Sequence, residues 1–359
     1  MQSLQKTADN PRIFTRKQLR SIVSLLFLLI ASFYTVSALM GNNLPGYSRN
    51  VTVISKEKKD SAKATTVLDT LLFNQRLVHI TNGDSSGKWP VKTAYPNAGA
   101  VLPFKRIVAY YGNFYSKKMG CLGEYPTDEM LTRLQAETAK WQKADTTTEV
   151  QPALHYIAVT AQGSPGKGNK YRLRMPFKQI DSVIKVAARI NALVFLDIQV
   201  GMSTVQEEVP LLENYLKMPQ VHLGIDPEFS MKTGKVPGSV IGTMDASDVN
   251  FTVNFLANLA KANQLPPKIL VVHRFTQAMI TNYRQIHTNP NVQIIMDMDG
   301  WGVQSKKKTS YKEFIYKEPV QFTGFKLFYK NDFREANSRM LNPDEVLALK
   351  PQPVYIQYQ

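Results

Sequence analysis

Eight short runs rich in β-branched and aromatic residues follow one another from Arg106 onward, separated by stretches with helical spacing. The runs are RIVAYYG (106–112), PALHYIAVT (152–160), LVFLDIQV (193–200), VHLGID (221–226), KILVVHRF (268–275), VQIIMDMD (292–299), GFKLFY (324–329) and VYIQYQ (354–359). Helices are predicted at 126–143, 176–190, 205–216, 245–262, 275–286, 310–316 and 342–349. Pro176 suits a first helical turn, and Asp245 suits an N-cap. Such alternation signals parallel βα units. Eight of them over residues 106–359 predict an α/β chain folded as a (β/α)8 TIM-type barrel, whose usual size is about 250 residues. An open doubly wound sheet would carry a glycine-rich phosphate loop after its first strand, and YYGNFYSKKMG is not one.

Residues 1–100 read differently. Residues 1–20 form a basic tail with Arg12, Arg16, Lys17 and Arg20, followed by the uncharged run SIVSLLFLLIASFYTVSAL at 21–39. A basic flank before a run of that length predicts a signal-peptide core or a single membrane-spanning helix. Val36-Ser37-Ala38 fits a cleavage site. Residues 40–100 lack a repeating pattern and are predicted to be a linker and lead-in to a barrel domain at 101–359. Either reading places the barrel outside the cytoplasm, anchored in the membrane if the segment is uncleaved, or periplasmic or secreted after cleavage. Cys121 is the single cysteine, so no intrachain disulfide can form. The net charge of +16, concentrated partly in SKEKKDSAK (55–63) and SKKKTSYK (305–312), points to an anionic partner such as a membrane surface or an acidic cell-envelope polymer. Nucleic acid is not expected, because no binding motif is present.

Barrel enzymes place their sites at the carboxyl ends of the strands, and polar residues gather there. The third run ends Asp197-Ile198-Gln199, the fourth Asp226-Pro227-Glu228, the sixth Asp297-Met298-Asp299. Residues i and i+2 of a strand share a face, so each pair is predicted to point inward over the barrel mouth. His273 and Lys326 join them from the fifth and seventh runs. Tyr111, Trp301 and Tyr329 offer flat rings suited to the apolar faces of sugars. GSPGKGNK (163–170) lacks the Gly-Lys-Ser/Thr ending of a phosphate loop and reads as a flap over the mouth.

Crowded carboxylates separate in pKa, giving a proton donor and an ionised partner. Glycoside hydrolysis needs that division. Glu228 is the predicted acid, with Asp226 holding it and Asp299 or Asp297 as opposing base or stabiliser. Asp197, Gln199, His273, Lys326, Tyr111, Trp301 and Tyr329 are predicted to bind a carbohydrate, and this reading needs no cofactor. Two others stay open: a divalent-metal hydrolase using Asp197, Asp226, Glu228, His273 and Asp297, and a non-catalytic envelope barrel that binds a glycan or a partner.

The phrases GCLGEYP, LDIQVG, GIDPEF, MDMDGWG and GFKLFY together resemble an uncharacterised bacterial family of secreted or lipoprotein-like proteins, over residues 101–359. That resemblance implies an exported barrel and no particular activity. The chain departs from the lipoprotein pattern in having no cysteine beside the apolar run. A shorter similarity links Asp226-x-Glu228 and the Met296 and Asp299 of MDMD to the chitinase-like glycosidases of family 18. It implies Glu228 as acid and Asp226 as the residue that orients the substrate. Val221 and Gly224 stand where that family's two earlier acids would be.

Overall fold

The structure, a computed structural model, describes residues 67–359. The basic tail, the apolar run at 21–39 and the start of the predicted linker lie outside the described residues. Eight parallel strands form the barrel: β1 (Lys105–Gly112), β2 (Glu149–Ala161), β3 (Leu193–Ile198), β4 (Val221–Ile225), β5 (Lys268–His273), β6 (Val292–Met298), β7 (Phe322–Leu327) and β8 (Tyr355–Tyr358). Each pairs with its neighbour in chain order, and β8 pairs with both β7 and β1, so the ring closes. The predicted (β/α)8 architecture is therefore present. Both faces of the strands are covered, which is why their sequences read as nearly unbroken apolar runs.

The outer face packs against amphipathic helices. Along α2 (Thr127–Ala144; α1 is Thr70–Thr81), Met130, Leu131, Leu134 and Trp141 are buried; along α3 (Phe177–Ala188), Ile180, Val183 and Ala187. These residues recur at three- and four-residue intervals, forming one stripe per helix. Residues 205–216 form a broken helix, and α4 (Ala246–Ala262) begins with a capping box between Asp245 and Asp248. Helix α1 was not visible in the sequence pattern. Its Leu77 and Ile80 join Val101 and Leu102 beneath the barrel, against Ile107 and Val354.

The helix expected at 275–286 does not form. That segment consists of two single 3-10 turns around a two-residue strand, Ile280–Thr281, which pairs with Met244–Asp245. The buried Arg274 guanidinium donates to the carbonyls of Thr276 and Gln277, which a helix would need for its own first turn. Asn282 then adopts a left-handed conformation, φ 57°, which a helix interior does not allow. The basic run at 305–312 is also not simply a solvated face. Lys307 is buried and donates to Asp332 Oδ2 at 2.6 Å and the Lys326 carbonyl at 2.8 Å.

Candidate active site

The inside of the barrel holds two polar tiers near the carboxyl ends of the strands. Strand alternation builds both, because two residues along a strand rise by about 6.6 Å while keeping the same face. The lower tier contains His155 of β2, Asp197 of β3, His273 of β5 and Asp297 of β6, all fully buried. The upper tier contains Gln199, Asp226 and Asp299, with Glu228 in the 3-10 turn that follows β4. The i, i+2 pairs of β3 and β6 thus point the same way, as predicted, but only their second members reach the mouth.

Room for the lower tier comes from two inward glycines. Gly224 lies in register with Asp197, and Gly324 with Asp297. A Cβ on Gly224 would lie 2.4 Å from Asp197 Oδ1 and 2.5 Å from His155 Nε2; one on Gly324 would lie 2.5 Å from Asp297 Oδ1. A side chain at either position would force these buried groups to shift.

Within the lower tier, His155 Nε2 stands 3.3 Å from Asp197 Oδ1, and His273 Nε2 stands 3.5 Å from the same oxygen. His273 Nδ1 donates to Asp297 Oδ2 at 3.1 Å. Burial alone would raise the pKa of Asp197, but the facing His273 and His155 outweigh it and hold the carboxyl below its usual range. A hydrogen-bonded chain then climbs to the mouth. Tyr111 donates its hydroxyl to Asp197 Oδ2 at 2.9 Å, Gln199 Nε2 donates to Tyr111 at 3.2 Å and to Asp226 Oδ2 at 3.4 Å, and Asp226 Oδ1 accepts the Glu228 backbone N–H at 3.0 Å.

The upper tier opens into a cleft of about 430 Å³ lined by Tyr111, Lys118, Gln199, Asp226, Glu228, Phe229, Phe275, Asp299, Trp301, Lys326 and Phe328, among others. Glu228 is partly buried, and no hydrogen bond contributes to its titration. Burial, reinforced by repulsion from Asp299 and opposed by Lys326 and His273, pushes its carboxyl up to about 7. Burial also raises Asp226 well above its usual range. It raises Asp299 too, against the pull of His273 and Lys326. The Lys326 ammonium sits 3.9 Å above the Tyr111 ring, a cation–π contact at the cleft wall. Trp301 is 41% exposed, with Lys306 and Arg334 both near its ring, at 5.1 and 5.3 Å.

Measured against the sequence reading, Asp226, Glu228, Asp299, Gln199, Lys326, Tyr111 and Trp301 come together around this cleft. Asp197, His273 and Asp297 do not line it; they lie one tier below, because the cleft is lined by the residues two positions further on, Gln199, Phe275 and Asp299. Tyr329 is misplaced as well. Its ring stacks on Tyr358 and its hydroxyl shares a 3.0 Å hydrogen bond with Tyr110, outside the barrel interior. Segment 163–170 is the tip of a hairpin in which Arg172–Arg174 folds back on β2, and none of its residues borders the cleft. His155 was missed altogether. It is a single polar residue inside an apolar strand, on the same parity as Ala153, and that parity is the signal that marks it as inward.

The oxygen-rich metal set proposed from the sequence does not assemble. Among the described residues, the ligand-type atoms that converge are those of His155, Asp197 and His273, without Asp226, Glu228 or Asp297.

The sequence matches no protein-family model and no curated protein. Solved structures similar to the chain include a ruminal GH26 endo-β-1,4-mannanase, at 10% identity and TM-score 0.34, over 71% of this chain and 58% of that one. They also include a family 5 xyloglucanase from Paenibacillus pabuli, at 11% identity and TM-score 0.29 (62% and 81%), and GH26C from a Muricauda species, at 11% and 0.31 (80% and 81%). The chain thus spans less than two thirds of the mannanase. These neighbours are glycoside hydrolases, and what this chain has in its own right is the closed eight-strand register described above.

Proposed function

We propose that the protein is a glycoside hydrolase acting on a cell-envelope glycan, with Glu228 as general acid. The observation that carries this reading is Glu228 itself: a partly buried carboxyl in the cleft whose pKa, about 7, lets it hold a proton at neutral pH. It would protonate the leaving glycosidic oxygen. Asp299 stands opposite as base or stabiliser, with Lys326 and His273 opposing the rise that burial gives its carboxyl, and Asp226 fixes the turn that carries Glu228 by accepting its N–H. Trp301, Phe275 and Phe328 offer apolar surface to sugar faces, while Lys118 and Lys326 favour a glycan that carries anionic groups. The basic tail and apolar run at 21–39 support export, which would bring the cleft to such a substrate.

The test is turnover on a panel of neutral and acidic glycans. Glu228→Gln is expected to lower kcat by about 10²–10⁴-fold, the usual weight of a general acid, with an unchanged circular dichroism spectrum. Full activity in that variant removes the proposed acid. Tight glycan binding with no turnover by the wild type would instead make the barrel a binding protein.

A further inference from the structure

Beneath the cleft, His155 Nε2, Asp197 Oδ1 and His273 Nε2 lie within 4.8 Å of one another. All three residues are fully buried, and among the described residues none of these atoms has a partner in hydrogen-bond geometry. A buried polar atom left without a partner costs about 1–3 kcal/mol. Three of them aimed at one point form an arrangement that an apolar packing rationale does not explain.

Their spacing has the dimensions of a coordination shell. The two measured edges, 3.3 and 3.5 Å, compare with about 3.3 Å between ligands placed tetrahedrally around zinc at about 2.0–2.1 Å. The far side of each group is already held. His273 Nδ1 donates to Asp297, so the ring keeps its Nδ1 proton when Nε2 gives up its own to a metal ion. His155 Nδ1 bonds the Tyr355 hydroxyl at 2.6 Å, and that hydroxyl accepts from Gln357 Nε2 at 2.8 Å. Asp197 Oδ2 accepts from Tyr111. A carboxylate behind one histidine and hydroxyls behind the other two groups are the outer partners that fix ligand orientation at metal centres. Gly224, with no Cβ to intrude, keeps the space beside two of the three atoms open.

We infer that His155, Asp197 and His273 form a buried site for one divalent transition-metal ion, with zinc the best match. Two imidazoles and one carboxylate suit a borderline ion, whereas calcium and magnesium favour all-oxygen shells. The ion would lie under the cleft floor and orient Tyr111 through Asp197. The inference does not depend on glycan hydrolysis, and an enzyme inactive on every glycan leaves it untouched.

The experiment uses the full chain, stripped with chelator and dialysed, then titrated with zinc by calorimetry and with cobalt by visible absorption. One ion per chain and the intense absorption of four-coordinate cobalt are expected. His155→Gln and His273→Gln should each weaken zinc binding at least 100-fold. Asp297→Asn, which touches only the back of His273, should weaken it about 10–100-fold, and His287→Gln should leave it unchanged. Should a histidine variant not fold, X-ray absorption at the zinc edge of the wild type decides: two imidazoles and an oxygen shell support the site. No stoichiometric binding, a shell without imidazole, or binding retained in both folded histidine variants overturns it.

Discussion

The two halves of the barrel interior are built on opposite principles. The lower half is filled by Ile107, Ala109, Ala153, Phe195, Ile269, Val271, Ile295 and Phe322, all buried. Its polar groups are matched almost completely. Gln293 accepts the backbone N–H groups of Val101 and Leu102 and donates to the Leu102 carbonyl, while Lys268 donates to the carbonyls of Met218 and Val221. The upper half holds His155, Asp197, His273, Asp297, Asp299 and Gln357, each with a buried atom that lacks a partner among the described residues. His155 and His222 make the contrast at one ring: they pack on Phe195 at 5.3 and 5.2 Å. Each is bonded through Nδ1 and leaves Nε2 without a partner among the described residues, but His222 accepts the Ile269 N–H of the lower half, whereas the unpaired nitrogen of His155 faces Asp197 at 3.3 Å. One half of the interior holds the barrel together. The other carries polar groups whose burial disfavours folding, and this is the usual mark of a working site.

The contrast can be broken by changing one residue at a time. Phe195→Ala, in the lower half, should lower stability by about 3–5 kcal/mol in chemical denaturation, the usual result of emptying an aromatic site. A loss below about 1 kcal/mol would mean that the lower half is not the stabilising core.

Glu228→Gln should have the opposite sign and a smaller size. The folded-state pKa of Glu228 is raised to about 7 from an ordinary 4.5, so the folded protein binds more protons than the unfolded chain between those values. Its contribution to stability is therefore fully present below about pH 4.5 and is lost as pH rises through about 7. The variant should melt above the wild type at pH 8 and close to it at pH 4. Equal melting temperatures at both values would show that burial does not strain this carboxyl. The same titration predicts that wild-type turnover declines above about pH 7, as the acid loses its proton.

Trp301→Ala should have the smallest effect on folding, within about 0.5 kcal/mol, because the residue is 41% exposed at the cleft rim and lies outside the core. It should raise KM for a glycan several-fold with little change in kcat. A kcat effect larger than the KM effect would move Trp301 from binding to the reaction itself.

Much of this arrangement was legible in the sequence. The eight strands lie within a few residues of their predicted positions, because burial on both faces leaves long apolar runs that few other structures require. The connection after β5 was not legible, since nothing local reveals that the Arg274 side chain takes the carbonyls a helix would use. At the site, strand ends pointed to Asp226, Glu228 and Asp299, and parity gave the correct face. Depth was the missing quantity. Alternation says which way a side chain points and nothing of how far below the rim it lies, so Asp197, His273 and Asp297 were placed one tier too high. The glycines of VHLGID and TGFKL carried the missing information. A glycine inside an apolar strand marks a place where something must pass close, and here each stands beside a buried aspartate.

Closure of the ring by β8 has a consequence for how the chain is made. Until Tyr355–Tyr358 has left the ribosome, β1 lacks one neighbour and β7 lacks its last, and both present open backbone edges to other nascent chains. Translation thus carries a window of aggregation risk that lasts until the eighth strand emerges, and shielding of those two edges by a chaperone would matter most during that interval.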